Sequence, residues 1–202
     1  FEYYSEDPLL AGCCAAADTE GVQRHRGVGT TIKHFAFNNQ EDNRMHVNAH
    51  ISERAIREIY LKCFEIAVKT AQPMSIMTSY NLINGIHTAN SYDLLTAVAR
   101  EEWGFQGIVM TDWGTTGSIE LNPDRAFKYG CSSPAGCIRA GNDLIMPGSQ
   151  KDVDEIIRSV GAAPDEVSCP ITLGDLQACA KRMLAVIGRS CAYEDMASCQ
   201  KD

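Results

Sequence analysis

Asp112 ends the apolar run Ile108-Val109-Met110-Thr111 and is followed at once by Trp113. A carboxylate delivered by a buried strand beside an indole can act as a nucleophile, with the indole face stacking on a sugar ring. An Asp at such a place can equally cap a helix or close a loop, and residue type alone leaves the two roles balanced. Three other apolar runs end in Lys33-His34, Tyr80-Asn81 and Met146-Pro147. A carboxylate, a cation, an imidazole and aromatic rings gathered on one rim suit a polyhydroxylated substrate, because they donate to and accept from neighbouring hydroxyls. The plainer roles are a salt-bridged rim lysine and a hydrogen-bonded structural histidine. His25, His46, His50 and His87 share no spacing and read as structural or exposed. The segment from Asn38 to Arg44 reads as a loop held by its own hydrogen bonds, with Glu41 and Arg44 spaced for a local ion pair.

The elements that must carry these residues follow from hydrophobic period and punctuation. Val28 to His34, Met74 to Ser79, Gly107 to Thr111 and Asp143 to Met146 read as strands, the third short and apolar as a doubly covered strand is. Ser52 caps a helix to about Thr70, whose Ile56, Ile59, Tyr60, Cys63, Phe64 and Ala67 make one buried stripe. Ser91 caps a second, ending at Gly104. A short helix is expected from Ala135 to Ala140, with others near Asp152 to Val160 and Asp175 to Ile187. Asn84-Gly85 marks a turn. Strands alternating with helices imply a parallel α/β fold. Both an open wound sheet and part of a (β/α)8 barrel satisfy the pattern, and 202 residues with about four βα units would make half a barrel. In either closure, ligands gather at the C-terminal strand ends.

With 26 acidic against 18 basic residues, the net charge is -8, which disfavours nucleic acid and anionic lipid as partners. No apolar run reaches the length of a membrane span. The nine cysteines lack paired metal-ligand spacing, so neither metal nor cofactor is expected. Their odd number, with no visible signal peptide at Phe1-Glu2-Tyr3-Tyr4, points to reduced thiols in a reducing, cytoplasmic setting, while a disulfide near the C-terminus stays open. The segment Arg189 to Asp202 has no periodicity and reads as a poorly ordered tail after a domain spanning 1–188.

Four blocks, in order, resemble the barrel domain of family 3 glycoside hydrolases of the β-glucosidase type. Phe1 to Pro8 resembles that family's N-F-E-Y-Y-S-E-D-P stretch. Lys33-His34-Phe35, with Asn39-Gln40-Glu41 and Arg44, resembles its K-H-F…N-x-Q-E…R block. Met77 to Asn81 resembles M-x-S-Y-N, and Gly104 to Trp113 resembles G-F-x-G-x-V-x-S/T-D-W. The resemblance implies the second half of a TIM-type barrel, with Asp112 as nucleophile. It implies that Lys33 and His34 hydrogen-bond hydroxyls of the terminal sugar, that Met77 and Tyr80 line that subsite, and that Trp113 is the neighbouring aromatic. The N-acetylglucosaminidase branch carries K-H-F-P-G-x-G, whereas Lys33-His34-Phe35 here runs into Ala36-Phe37-Asn38. An Arg before the segment matching Phe1, an Asp of the first half-barrel and the acid/base Glu of a separate domain have no counterpart in this chain.

The implied reaction is retaining hydrolysis of terminal β-glucosides. It needs two carboxyl groups about 5–5.5 Å apart, one ionised and one protonated. Asp112 supplies the first, held ionised by donors such as Lys33. Half a barrel also implies self-association, or completion by the absent half-barrel and acid/base domain. Two other readings are a non-catalytic module with weak sugar affinity and an aldolase using Lys33 as a Schiff base.

Overall fold

The computed structural model describes residues 3–118 and 126–191. In chain order these form α1 (Pro8–Gln23), β1 (Thr31–Phe35), β2 (Asn48–Ala49), α2 (Glu53–Ala55), α3 (Lys62–Ala71), β3 (Ser75–Thr78), β4 (Leu82–Ile83), β5 (Ile86–His87), β6 (Ile108–Met110), α4 (Pro134–Ala140), α5 (Gln150–Ser159) and α6 (Leu173–Ile187).

The main sheet has the parallel order β1-β3-β6. Ile32, Ile76 and Val109 fall in register across it. Ile76 and Val109 are wholly buried against Phe64, Val68, Leu95 and Val98 of the covering helices. Removing each such side chain from water contributes roughly 1.5–3 kcal/mol, so this layer fixes which strand faces turn outward. The same register sets Met77 level with Met110, which brings the C-terminal ends of β3 and β6 side by side.

The fourth expected strand, Asp143 to Met146, is reduced to a single parallel bridge between Met110 and Leu144. The reason is local. The Asp143 carboxylate accepts the Val109 amide at 2.8 Å, a bond a backbone carbonyl would otherwise make, and Pro147 ends the run. Among the described residues β1 lies at the sheet's other margin.

Helix α1 is not foreshadowed by any apolar stripe, since Leu9 and Leu10 are exposed and the buried positions are the small Ala11, Gly12, Ala16 and Thr19. Its usable signal is Asp7-Pro8: the Asp7 carboxylate accepts the Leu9 and Leu10 amides, and proline occupies the first turn. Small residues let α1 lie close to α3. A β-carbon on Gly12 would meet Ile66 Cβ at 2.8 Å.

The helix expected after Ser52 runs through α2 and α3, with a π-wound middle at Ile56–Tyr60. The helix after Ser91, Asp93–Glu102, is also π-wound, and Gly104 follows it at φ 72°. Asn84-Gly85 makes the turn between β4 and β5, both residues at positive φ. With β2 these strands form a second small sheet that the sequence pattern did not reveal. Of the expected tail 189–202, the last residues 192–202 lie outside the described ones. The eight cysteines among the described residues are free thiols, and no helix there is long and apolar enough to cross a membrane.

Candidate active site

The end of β6 is fastened along its whole length. The Thr111 amide donates to Leu144 O at 2.9 Å and the Gly114 amide to Met146 O at 2.8 Å. The Met146 amide donates to Thr111 Oγ1 at 3.0 Å. Asp112 is therefore held from its backbone before its side chain makes any contact.

The Asp112 carboxylate is aimed by its own neighbour: the Trp113 amide donates to Oδ1 at 2.7 Å. Oδ2 lies 3.6 Å from His34 Nε2. Oδ2 is buried and accepts no hydrogen bond among the described residues. An enclosed charged oxygen short of donors is costly, and such orphans call for a functional account. The residue is 5 % exposed, more enclosed than a rim position suggests. His34 and the peptide after Asp112 cover it, whereas the Trp113 side chain beside it is more than half exposed.

Tyr80 is the third wall. Its hydroxyl donates to the Trp113 carbonyl at 2.7 Å. Burial, and next the charge of Asp112, push the phenol well above the ordinary tyrosine range, so it stays a donor. A buried polar net sets the peptide that carries it. Ser79 Oγ and Asn81 Nδ2 donate to Ala36 O at 2.7 and 3.1 Å, and Thr88 Oγ1 donates to Ser79 O at 2.6 Å. Tyr3 bridges the amide and carbonyl of His34, each at 3.4 Å, and burial pushes its hydroxyl up to about 12.

The structure thus joins His34, Tyr80, Trp113 and Asp112 directly. Met77 is half-buried and enters through its register with Met110. Lys33, also half-buried, precedes His34 and lines a groove between α1, α3 and β1. Sequence reasoning missed Arg44 as a partner of Tyr80, although its Cζ lies 4.8 Å from that ring. The expected Glu41–Arg44 ion pair is present at 3.2 Å. No cluster of three or more metal-binding side chains occurs among the described residues.

Residues 1–184 match the glycosyl hydrolase family 3 N terminal domain. An exo-α-(1→6)-L-arabinopyranosidase of Bifidobacterium breve is 52 % identical over 160 residues, 79 % of this chain and 19 % of that protein. β-Glucosidase B of Emericella nidulans is 47 % identical over 170 residues, 82 % and 18 % of the two chains. β-Glucosidase 3B of Thermotoga neapolitana, solved with glucose, superposes with a TM-score of 0.78 at 41 % identity, over 95 % of this chain and 25 % of its own. The chain spans about a fifth of the length of the curated relatives it matches. The parallel units are accordingly part of a TIM-type barrel rather than of an open sheet, and the chain belongs to glycosyl hydrolase family 3.

Proposed function

We propose that Asp112 is the nucleophile of a retaining exo-β-glycosidase of the β-glucosidase type, and that 1–188 make the second half of its barrel domain. One observation carries this reading: a buried strand-end carboxylate aimed by the Trp113 amide, with its second oxygen turned to His34 and accepting no hydrogen bond among the described residues. Oδ2 attacks the anomeric carbon as the bond to the leaving oxygen breaks, and an ester to the sugar forms. The leaving oxygen takes its proton from a second carboxyl group, which this reading places in a separate domain. Water, deprotonated by that same group, then cleaves the ester. Lys33 and His34 bind hydroxyls of the terminal sugar, Met77 and Tyr80 line its subsite, and Trp113 offers an exposed aromatic face. The chemistry calls for no cofactor or metal. A terminal β-glucosyl unit is the substrate class the relatives support best, because the solved structures this chain resembles and several of its curated relatives are named β-glucosidases.

The test is covalent trapping of the full-length polypeptide with a 2-deoxy-2-fluoroglucoside bearing a good leaving group, followed by peptide mass spectrometry. A label on Asp112 is expected, and a label on any other residue overturns the assignment.

The same reading requires completion of the barrel. β1 stands at the sheet margin, and beside it runs a groove of about 590 Å³ walled by Ala11, Ile32, Phe64 and Ala67. Exposed strand edges next to apolar surface drive association. These 202 residues alone are expected to self-associate, or to be completed by the other half-barrel and an acid/base domain. A monodisperse monomer by light scattering at micromolar concentration contradicts this.

A further inference from the structure

Arg44 stands on a short 3-10 turn, Arg44–His46, entered through Asn43 at φ 58°. Three sets of contacts fix its place. Its Nη1 lies 3.2 Å from Glu41 Oε2. Its Cζ lies 4.8 Å from the Tyr80 ring centroid. The turn itself is fastened to the segment beyond the nucleophile strand, because His46 Nε2 meets Ala126 O at 2.9 Å and the Lys128 amide donates to Met45 O at 3.3 Å. The ring so held, with Phe127 a further 5.6 Å neighbour, carries the hydroxyl that grips the Trp113 carbonyl at 2.7 Å. The amide of that residue in turn aims Asp112.

We propose that Arg44 is a positioning residue: anchored by Glu41, its guanidinium holds the Tyr80 ring so that the hydroxyl fixes the Trp113 carbonyl and, through that residue, the direction of Asp112. The proposal rests on reading Asp112 as the nucleophile. A cation near the electron-rich face of a desolvated ring is attracted to it, and the ion pair with Glu41 discourages the guanidinium from turning to solvent. A reacting group displaced by about 1 Å can lose on the order of a hundredfold in rate, so a modest loosening of Tyr80 reaches the chemistry without touching the sugar.

The experiment is a double-mutant cycle in the full-length polypeptide, using Arg44→Met, Tyr80→Phe and the pair. The readouts are the rate of glycosyl-enzyme formation and KM with an aryl β-glucoside, and the melting temperature. Arg44→Met is expected to slow glycosylation about tenfold with KM nearly unchanged, and Arg44→Lys to recover part of it. In the Tyr80→Phe background the Arg44 effect should vanish, since the hydroxyl it positions is gone. An equal loss in both backgrounds, a rise in KM alone, or no loss at all overturns the role. Should Arg44→Met fail to fold, Arg44→Lys and Glu41→Gln carry the same cycle, and additivity there counts against the proposal equally. Asp112→Asn, assayed alongside, separates the two ideas. Turnover by that variant ends the nucleophile reading, whereas an additive cycle with inactive Asp112→Asn ends only the role of Arg44.

Discussion

His34 Nε2 faces Asp112 Oδ2 across 3.6 Å, with both side chains almost wholly enclosed. The two come from different strands, β1 and the end of β6, with β3 between them. The gap is just beyond hydrogen-bond range, so the enclosed imidazole can hydrogen-bond a sugar hydroxyl that also meets the carboxylate. Hydrogen bonds to charged groups contribute roughly 1.5–3 kcal/mol, so His34→Ala should lower kcat/KM by about 10- to 100-fold. Steady-state kinetics on an aryl β-glucoside would measure it, and an unchanged kcat/KM would remove His34 from the site.

Asp112→Asn separates charge from shape. The amide oxygen of Asn can still accept the Trp113 amide, which Asp112 Oδ1 accepts at 2.7 Å, so the local fold should persist. Loss of the proposed nucleophile should cut kcat by about 10³-fold or more, as in other covalent catalysts. The melting temperature is expected to stay within a few degrees of the parent. Retained turnover with the melting point intact would show that another group does the attacking.

Much of this was legible because the site rides on strands. Ile32, Ile76 and Val109 mark three buried strands by composition, and once these are parallel their ends must converge. That alone brings His34, Tyr80 and Asp112 to one end of the sheet. Helix α1 was not legible because its contact face is built from Ala11, Gly12 and Ala16 rather than large apolar residues. Arg44 was readable only as half of a local pair with Glu41, since its other partner, Tyr80, is 36 positions away and depends on how two loops meet. The buried net of Ser79, Asn81 and Thr88 was equally silent. Small polar residues in a strand–loop junction look like ordinary turn residues until the carbonyl of Ala36 arrives from another element.

Alkaline pH offers a test of the tyrosines. Burial raises Tyr3 to about 12 and, with the charge of Asp112, raises Tyr80 further above the ordinary phenol value of 10.0. A raised value means that the folded state keeps the proton longer than the unfolded chain does. The stability is therefore fully present below pH 10 and falls as pH rises from 10 toward 12 and beyond. Absorbance at 295 nm should show these two phenols remaining protonated until the chain unfolds. Tyr80→Phe should flatten the fall in stability over that window. Early titration of all tyrosines near pH 10 with the fold intact would contradict the enclosure described for them.

The last prediction concerns the strand that carries Asp112 rather than Asp112 itself. Asp143 is fully buried at its side chain and takes Arg100 Nη2 at 2.7 Å on one oxygen and Arg182 Nε at 2.6 Å on the other. The first oxygen also accepts the Val109 amide at 2.8 Å. The Arg100 Nη1 donates to Gly107 O at 3.0 Å, so the same group braces both ends of the short run into β6. Asp143→Ala would leave two guanidinium groups facing each other in a poorly solvated place and a buried amide without an acceptor. Breaking one member out of a buried ion network costs about 3–5 kcal/mol, a large share of the stability of a domain of this size. Asp143→Asn keeps an acceptor for Val109 while discarding the charge, and should cost less. Replacing Asp143, Arg100 and Arg182 together by apolar residues of similar volume should cost least, because the desolvation of three charges disappears with their attraction. Urea unfolding of the full-length polypeptide ranks the three. If Asp143→Ala costs under about 1 kcal/mol, the network is no brace, and the register of β6 must be held by the bridge to Leu144 and the apolar layer alone.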